Sequence, residues 1–424
     1  MRRRRNDSSK GQVRSFSRGK ALLMKRVCVF HYPRMEDFYG YSIDSLDPLP
    51  YFQKGTSPRE VTKLFALLYE AKWIDEMYRA RNPAYMRFLR DFVDKFKNAD
   101  LVVFNNYNPV HPEILCNELE KPIKVLGFVD EPVSTYVRGV PYLWAFDGAF
   151  YITPSFNETM LFPAALERWG CKQTYWLPLV PPRLDWLPQS STRGKTTSEA
   201  DLWPLATART EALRRGDAFF RERDIDLIYV GQQYGPKVDR LIKLKKRFGP
   251  RFRIHGKWPL AGYGGIARIA KGRRPLWTRV RPISFQERAS LYYRTKIGIN
   301  MHLSMIPRET GNMRMYEAPA HGMMLLCDKA GLDAHAQIFE PDKEAVFYDS
   351  IEDAIEKIEY YLEHEEERIR IAQAGFARVH RDYDGELNLK NFLDWASGLR
   401  KKEGPQDAAV LSGISQETGP LLRQ

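Results

Sequence analysis

The stretch Ile225–Gly249, IDLIYVGQQYGPKVDRLIKLKKRFG, contains the repeating unit of the fold. Its first six residues form a short and nearly continuous apolar run, which is typical of a buried parallel strand. A turn containing glycine follows, and then a basic segment whose apolar residues recur at helical spacing. A strand, a turn and a helix in this order predict a unit that returns the chain for a further parallel strand.

The same alternation occurs on both sides of a break in the chain. Short apolar runs separated by helix-length segments fill residues 24–187 and again residues 224–385. Residues 188–223 are polar and rich in serine and threonine, so we interpret them as an interdomain linker with a short helix near 206–215. We therefore predict an α/β protein with two Rossmann-like, doubly wound parallel-sheet domains that face a central cleft.

The ends of the chain differ from the two domains. We predict a disordered basic tail over 1–23, a closing helix over 386–400 and a disordered tail over 401–424. The first 20 residues hold eight Lys or Arg and one Asp, so they supply most of the formal net charge of +13. The remainder is only moderately basic, which argues against an extended nucleic-acid surface.

The amino-acid composition limits the classes of protein to which the chain can belong. Hydrophobic residues make up 43% of the chain, which is typical of a globular protein, and no apolar run approaches the roughly 18 residues of a membrane span. The four cysteines form no CxxC pair, which favours a reducing compartment. We expect a cytoplasmic protein that is peripheral to a membrane at most, with weak contact to anionic surfaces through residues 1–20.

Candidate ligand contacts lie on the loops that follow the predicted strands, because ligands of parallel sheets bind outside the strands' carboxyl ends. Gly231 follows the strand of the opening stretch and allows close backbone approach. Lys237 and Arg240 lie in the first turns of the next helix, where they can reach a pyrophosphate. Trp258 is a candidate for packing against a nucleobase. His302 ends the apolar run KIGINMH and is a candidate catalytic residue.

The segment 308–317, RETGNMRMYE, contains a predicted helix start. Asn312 is the expected N-cap, and the free N–H groups after it are suited to phosphate oxygens. Arg314 adds a guanidinium beside them. We also assign Tyr316 to this group of candidate residues, which would bind a phosphate-containing donor molecule.

Three carboxylates complete the candidate site. Glu309 precedes the predicted helix and is a candidate catalytic residue that faces what lies beyond the phosphates. Glu317 lies within the helix, and its carboxylate can accept hydrogen bonds from two ribose hydroxyls. Asp130, in GFVDEP of the first domain, follows a predicted strand and is a candidate general base, because such a residue must reach the cleft.

Several segments in order resemble the carboxyl-terminal domain of GT-B glycosyltransferases, the glycosyl transferases group 1 domain. They are VGQQYG, FRIHGKWP, RPISFQERASLYYRTKIGINMH, RETGNMRMYEAPAHGMMLLCD and EAVFYDSIEDAIEKIEYYLEH. The resemblance covers about residues 224–383 and is greatest to the bacterial spore-maturation-like branch. It implies that Glu309 contacts the donor sugar and Glu317 the ribose, since their spacing matches E-x7-E of retaining enzymes. Arg314 matches the arginine that precedes the second glutamate in that branch.

The resemblance implies transfer of a hexosyl or similar group from a nucleotide-diphosphate sugar to a glycan, protein, lipid or small molecule. It implies no cofactor and no metal, with retention slightly favoured, although Thr310–Tyr316 replaces the Gly-Phe-Gly run of many retaining members. Two alternatives stay open at this point. One is a basic protein that binds or modifies nucleic acid, and the other is a non-catalytic nucleotide-binding module of the same fold.

Overall fold

The computed structural model describes residues 27–30, 46, 48–52, 70–105, 108–128, 138–156, 159–178, 205–231, 235–256, 258, 280–302 and 310–399. The predictions for the tails 1–23 and 401–424 lie outside these residues, as do the candidate residues Asp130 and Glu309.

The first domain is built on a five-stranded parallel sheet whose described strands follow chain order, β1-β2-β3-β4-β5. The strands are β1 Val27–Phe30, β2 Leu101–Asn105, β3 Ile123–Phe128, β4 Gly148–Tyr151 and β5 Thr174–Trp176. The helices are α1 Leu49–Phe52, α2 Ala71–Arg79, α3 Pro83–Phe96, α4 Pro112–Asn117 and α5 Phe162–Arg168, with a 3₁₀ helix at Val140–Ala145.

The core of the first domain is strongly aromatic. Helix α3 begins at Pro83 because Asn82 caps it, accepting hydrogen bonds from the N–H groups of Ala84 and Tyr85. One face of this helix then buries phenylalanines against β2, including Phe92, whose ring centroid lies 5.9 Å from that of Phe104. The apolar face of α3 thus covers one face of the first sheet.

The second domain contains a parallel sheet with the strand order β10-β9-β8-β6-β7. The strands are β6 Ile225–Val230, β7 Phe252–His255, β8 Thr295–Asn300, β9 Met324–Asp328 and β10 Val346–Tyr348. The chain passes from β6 outward to β7 and then returns to β8 on the other side of β6. The strand order therefore reverses between β6 and β8, and a reversal of this kind opens a crevice at the carboxyl ends of the two strands.

Eight helices are described from residue 205 onward: α6 Leu205–Arg215, α7 Ala218–Arg221, α8 Gly235–Phe248, α9 Phe285–Tyr293, α10 Met313–Ala320, α11 Ile351–Glu363, α12 Glu365–Asp382 and α13 Gly385–Ser397. Short 3₁₀ helices lie at Gly249–Arg251 and Gly331–Gln337. The structure confirms the helix predicted within the linker as α6. Phe219 and Phe220 of α7 pack in the core of the second domain, so this end of the linker belongs physically to that domain.

The last of the described helices, α13, packs on the first sheet. The ring of Phe392 lies 5.2 Å from that of Phe150 on β4 and 5.9 Å from that of Tyr175 on β5. Leu399, just beyond α13, is buried in the same cluster. The chain therefore begins in the first domain, builds the second, and returns to cover the second face of the first sheet.

The predicted fold class is confirmed, because the chain forms an α/β structure with two parallel sheets. Over the described strands, the order reversal predicted for doubly wound sheets occurs in the second sheet, whereas the first runs in chain order. None of the helices within the described part of the chain is long and apolar enough to cross a membrane.

Candidate functional site

Arg314 on α10 bridges the crevice where β6 and β8 diverge. Its Nη1 donates to the carbonyl of Val230 at the end of β6 at 3.0 Å. Its Nε donates to Oδ1 of Asn300 at the end of β8 at 3.1 Å, and its Nη2 to the carbonyl of Met301 at 3.4 Å. One guanidinium thereby ties two strand ends to the start of a helix.

The surroundings of Arg314 explain the glycine at position 231. A Cβ on Gly231 would lie 2.2 Å from Nη1 of Arg314, so a side chain at position 231 would displace the guanidinium from its hydrogen bonds. The close approach predicted at Gly231 is thus made by a side chain of the protein. Burial alone would lower the pKa of Arg314, but the hydroxyls of Tyr229 and Tyr292 and two nearby carboxylates raise it. The guanidinium therefore stays charged.

The N-terminus of α10 lies beside Arg314. Asn312 has extended backbone, with φ −69° and ψ 159°, and its side chain accepts a hydrogen bond from the N–H of Arg314 at 3.1 Å. The predicted N-cap at Asn312 is confirmed. The positive end of the helix dipole and a guanidinium therefore lie at the same edge of the sheet, which favours an anion there.

A second charged cluster lies next to this helix start. Nδ1 of His302 lies 2.8 Å from Oδ1 of Asp328, which ends β9. Arg240 of α8 approaches Oδ2 of Asp328 at 3.4 Å and donates to the carbonyl of His302 at 3.2 Å. Burial alone would raise the pKa of Asp328, but the charges and hydrogen bonds of His302 and Arg240 hold this pKa at about 2. The structure thus brings two of the predicted site residues, His302 and Arg240, onto one carboxylate.

Glu317 is buried beneath the surface of the domain. Its side chain is 2% exposed, and Arg288 Nη1 lies 3.4 Å from Oε1. The hydroxyl of Tyr292 donates to Oε2 at 3.3 Å. The carboxylate is therefore held by α9, and a contact between Glu317 and ribose stays a prediction.

Tyr316 lies in the hydrophobic core and not at the strand ends. Its fully buried ring lies 5.0 Å from that of Tyr383 and 6.2 Å from that of Phe339. Because α10 is covered by α12 on this side, the Tyr316 side chain has no surface for a donor molecule. This finding corrects the prediction that Tyr316 binds the donor.

Two further candidates are buried structural neighbours of the crevice. Trp258 is 7% exposed, and its indole Nε1 donates to the carbonyl of Gly231 at 2.9 Å. The tryptophan therefore ties the loop after β7 to the end of β6. Lys237 is 5% exposed in the first turn of α8. Contacts of Trp258 with a base and of Lys237 with a phosphate stay predictions.

Asp328 and Asn300 are site residues that the sequence analysis missed. Each ends a strand of the second sheet, and Asn300 both accepts from Arg314 and donates from Nδ2 to Cys327 Sγ at 3.2 Å. The signal that could have found them was available, since each is a polar residue at the carboxyl end of an apolar run.

Among the described residues, one group has the atom types to hold a metal ion, namely His302, Cys327 and Asp328. The atoms of this group already have hydrogen-bond partners, because Asn300 donates to the Cys327 sulfur and His302 is bonded to Asp328. The expectation that no metal is needed stays a prediction.

The chain has a D-x-D sequence at Asp224-Ile225-Asp226, and it lies at the opposite edge of the sheet from this group. Asp224 pairs with Arg294, and Asp226 pairs with Arg251 and Lys296. These aspartates begin β6, whereas the crevice lies at its carboxyl end. Both carboxylates are therefore engaged in ion pairs at the end of β6 that lies opposite to the crevice.

The two domains touch next to the helix start. The N–H of Thr310 approaches Oγ1 of Thr153, just after β4, at 3.4 Å. Gly311 has a φ of +96°, and a Cβ there would lie 3.0 Å from the carbonyl oxygen of Ile152. Glycine is thus favoured both by its conformation and by the proximity of the first domain. The edge of the crevice at the start of α10 is therefore in direct contact with the first domain.

We expect acid to destabilise the second domain through His321, which ends α10. Burial lowers the pKa of His321 from 6.5 to about 3, and Nδ1 lies 2.8 Å from the Glu317 carbonyl. As pH falls from about 6.5 to about 3, His321 binds a proton in the unfolded chain but not in the folded chain. The free energy of unfolding should therefore fall by up to about 1.4 kcal/mol per pH unit in this window.

Urea denaturation between pH 4 and 7 measures that dependence. The variant His321→Asn should show a shallower slope than the wild type, whereas His364→Gln, which changes an exposed histidine, should keep the wild-type slope. Equal slopes for the wild type and His321→Asn would contradict the assignment.

Comparison with known proteins agrees with this architecture. Residues 238–394 match a family model whose description is glycosyl transferase-like. A search of the curated proteins found no match. The sucrose-phosphate synthase of Thermosynechococcus elongatus is similar in structure over 87% of this chain and 84% of that chain, with 14% identity and a TM-score of 0.51.

Two further solved structures show lower similarity. HepE of Anabaena, solved with UDP and glucose, is similar over 77% of this chain and 82% of that chain, with 12% identity and a TM-score of 0.48. An alpha-glucosyltransferase solved with UDP and DNA is similar over 73% of this chain and 83% of that chain, with 12% identity and a TM-score of 0.46.

The fold and the family match together define the class of protein. The two-domain architecture is the GT-B fold, and the second domain carries a glycosyl transferase-like sequence. The enzyme class predicted from the sequence, a glycosyltransferase, is confirmed at this coarse level.

Proposed function

We propose that the chain transfers a hexose or similar sugar from a nucleoside-diphosphate donor to an acceptor bound in the crevice between its two domains. The observation that carries the proposal is the position of Arg314 and the α10 N-terminus at the reversal point of the second sheet. The glycosyl transferase-like match over residues 238–394 supports the same chemistry.

The charge distribution of the crevice suits a diphosphate leaving group. As the glycosidic bond breaks, negative charge develops on the diphosphate, and fixed positive groups stabilise it most. Arg314 and Arg240 lie within this part of the second domain, and the dipole of α10 adds to them. These protein groups supply positive charge, so the proposed reaction needs no metal ion.

The acceptor is proposed to bind against the first domain. Thr153 after β4 contacts Thr310, which lies just before α10, so an acceptor on this side would meet the donor sugar. Glu309 is proposed to contact that sugar, with retention of configuration favoured by the spacing of Glu309 and Glu317. If the reaction inverts configuration instead, Asp130 is the proposed general base.

Finer assignments are also proposals. The positions of Arg314 and Glu317 support membership of the spore-maturation-like branch, because that branch has an arginine before the second glutamate. The basic residues 1–20 are proposed to make weak contact with anionic surfaces, and the site of action is proposed to be the cytoplasm.

A thermal shift panel tests the donor class. UDP, GDP, ADP and TDP are each added at increasing concentration, and the preferred nucleotide should stabilise the protein by about 2.7 kcal/mol at one hundred times its Kd. Transfer or hydrolysis of the matching nucleotide sugar should then be detectable. Stabilisation without turnover would indicate a non-catalytic module, and no stabilisation by any nucleotide would contradict the proposal.

Glu317→Gln should raise the KM for the donor about tenfold or more while changing kcat less. A ribose contact is made in both the ground state and the transition state, so its loss weakens binding more than the chemical step. Steady-state kinetics with the preferred nucleotide sugar measure the split. Glu363→Gln, an exposed change on α11, is the matched control, and unchanged donor affinity in Glu317→Gln would rule out the ribose role.

A further inference from the structure

A cavity of about 230 Å³ lies along one edge of the second sheet. Its wall is β7, which is the edge strand of the described sheet and pairs with β6 alone. The cavity extends from Lys245 of α8 to Leu291 of α9. These helices cover opposite faces of the sheet, because Leu244 of α8 packs with Leu227 of β6, whereas Leu291 packs with Ile228. The cavity therefore reaches both faces of the sheet around the edge of β7.

This cavity is separate from the crevice that Arg314 bridges. The crevice lies between the ends of β6 and β8, whereas β7 lies on the other side of β6. Pro250 and Phe252 line the cavity at the start of β7, which is the end of the strand opposite to the crevice. The volume of about 230 Å³ is also below the roughly 300 to 1,000 Å³ of sites for larger ligands. The cavity is therefore suited to a molecule smaller than a nucleotide sugar.

The charged side chains of the lining are mainly cationic. They are Lys245, Arg253 and Arg281, together with one carboxylate, Glu287. Nη1 of Arg281 donates to Oε2 of Glu287 at 3.1 Å, and this hydrogen bond lowers the pKa of Glu287, which stays charged. Burial and the charge of Arg281 lower the pKa of His255, so its ring is neutral at pH 7. Three cations and one carboxylate leave a net charge of +2.

Arg253 is the cation of this lining that is most accessible to a ligand. It is exposed on β7 and forms no hydrogen bond or ion pair with the residues that the structure describes. Arg281 is already bonded to Glu287, and Nζ of Lys245 donates to the carbonyl of Phe252 at 2.5 Å. A guanidinium can donate two parallel hydrogen bonds to a phosphate, so Arg253 is suited to bind one.

The remaining lining is apolar and limits the chemistry of the ligand further. Ile254 of β7 and Leu291 of α9 line the cavity, and each is 8% exposed. An apolar surface beside cations favours an anion that carries an apolar group. A phosphate monoester has close to two negative charges at pH 7, because its second pKa is about 6. It therefore matches the net charge of +2 better than a carboxylate or a phosphate diester, which has one charge.

We propose that the cavity along the edge of β7 binds a small phosphate monoester. Its phosphate contacts Arg253, and its apolar group lies against Ile254 and Leu291. Binding at this cavity is independent of the proposed glycosyl transfer, because none of the lining residues belongs to the candidate donor site.

Titration of the full chain with phenyl phosphate, followed by NMR of the histidine ring signals, tests this site. The ring of His255 belongs to the lining, and its signal is assigned by its absence from the spectrum of His255→Gln. The His255 signal should shift with a Kd of about 1 mM or below. Benzenesulfonate has the same ring but a single charge, so it should bind about tenfold more weakly.

Arg253→Gln removes the exposed cation and should weaken the binding of phenyl phosphate about tenfold. The variant is expected to fold, because Arg253 is exposed. Arg90→Gln, which changes an exposed arginine on α3, should bind as the wild type does. The inference would be overturned by an unshifted His255 signal in the wild type, by unchanged affinity in Arg253→Gln, or by equal affinity for benzenesulfonate.

Discussion

Replacing Arg314 with methionine is expected to lower the free energy of unfolding by about 3 kcal/mol and to remove detectable donor binding. Methionine fills much of the same space but donates no hydrogen bond, so the carbonyls of Val230 and Met301 and the amide of Asn300 lose their shared donor. The ends of β6 and β8 would no longer be tied to α10. Urea denaturation measures the first effect, and titration calorimetry with the preferred nucleotide measures the second.

Two further variants separate geometry from charge. Arg314→Lys keeps the positive charge but cannot make three separate bonds from a planar fork, so it should behave more like methionine than like arginine. Arg247→Met removes an exposed arginine that pairs with Glu359 and should cost less than about 1 kcal/mol. Full donor affinity in Arg314→Met would show that the guanidinium only fills space.

Replacing Arg223 with methionine should destabilise the protein by about 3 to 5 kcal/mol. The Arg223 guanidinium is buried, and burial lowers its pKa to about 9. Its N–H groups donate to four backbone carbonyls, those of Phe219, Tyr292, Thr295 and His321. The side chain thus joins α7, the end of α9, the start of β8 and the residue after α10, and its loss leaves these buried carbonyls unsatisfied.

Arg221→Met provides the comparison for Arg223, two positions away in the chain. Its guanidinium forms a bidentate ion pair with Glu366, but both side chains are substantially exposed, at 43% and 76%. Solvent screens such exposed pairs, so Arg221→Met should destabilise the protein much less than Arg223→Met. If Arg223→Met and Arg221→Met unfolded at the same urea concentration, burial would not be the cause of the contribution of Arg223 to stability.

Local chemistry in the sequence was sufficient to predict some elements. The N-cap at Asn312 follows from the side chain of one residue and the N–H groups next to it, so it needs no knowledge of the fold. The strand of the opening stretch follows from a run of apolar residues. Helix α6 was predicted as a short helix near 206–215 within the polar linker, and the structure has it at Leu205–Arg215.

The contacts of the site depend on which strands are neighbours. Arg314 meets Val230 because β6 lies beside β8, although 84 residues separate the two in the chain. The burial of Tyr316 depends on α12, which lies against α10 closely enough that a Cβ on Gly375 would be 3.3 Å from the Cβ of Pro319. A pattern read along the chain does not carry this information, because packing between distant elements decides it.

The return of α13 to the first sheet has a consequence for dividing the chain into fragments. A fragment that stopped at residue 187 would leave Phe150 and Tyr175 without the helix that shields them, and their exposed rings would invite aggregation. A stop codon before Gly385 would remove α13 and would expose the same two rings. Loss of the carboxyl-terminal helix is therefore expected to expose the core of the amino-terminal domain.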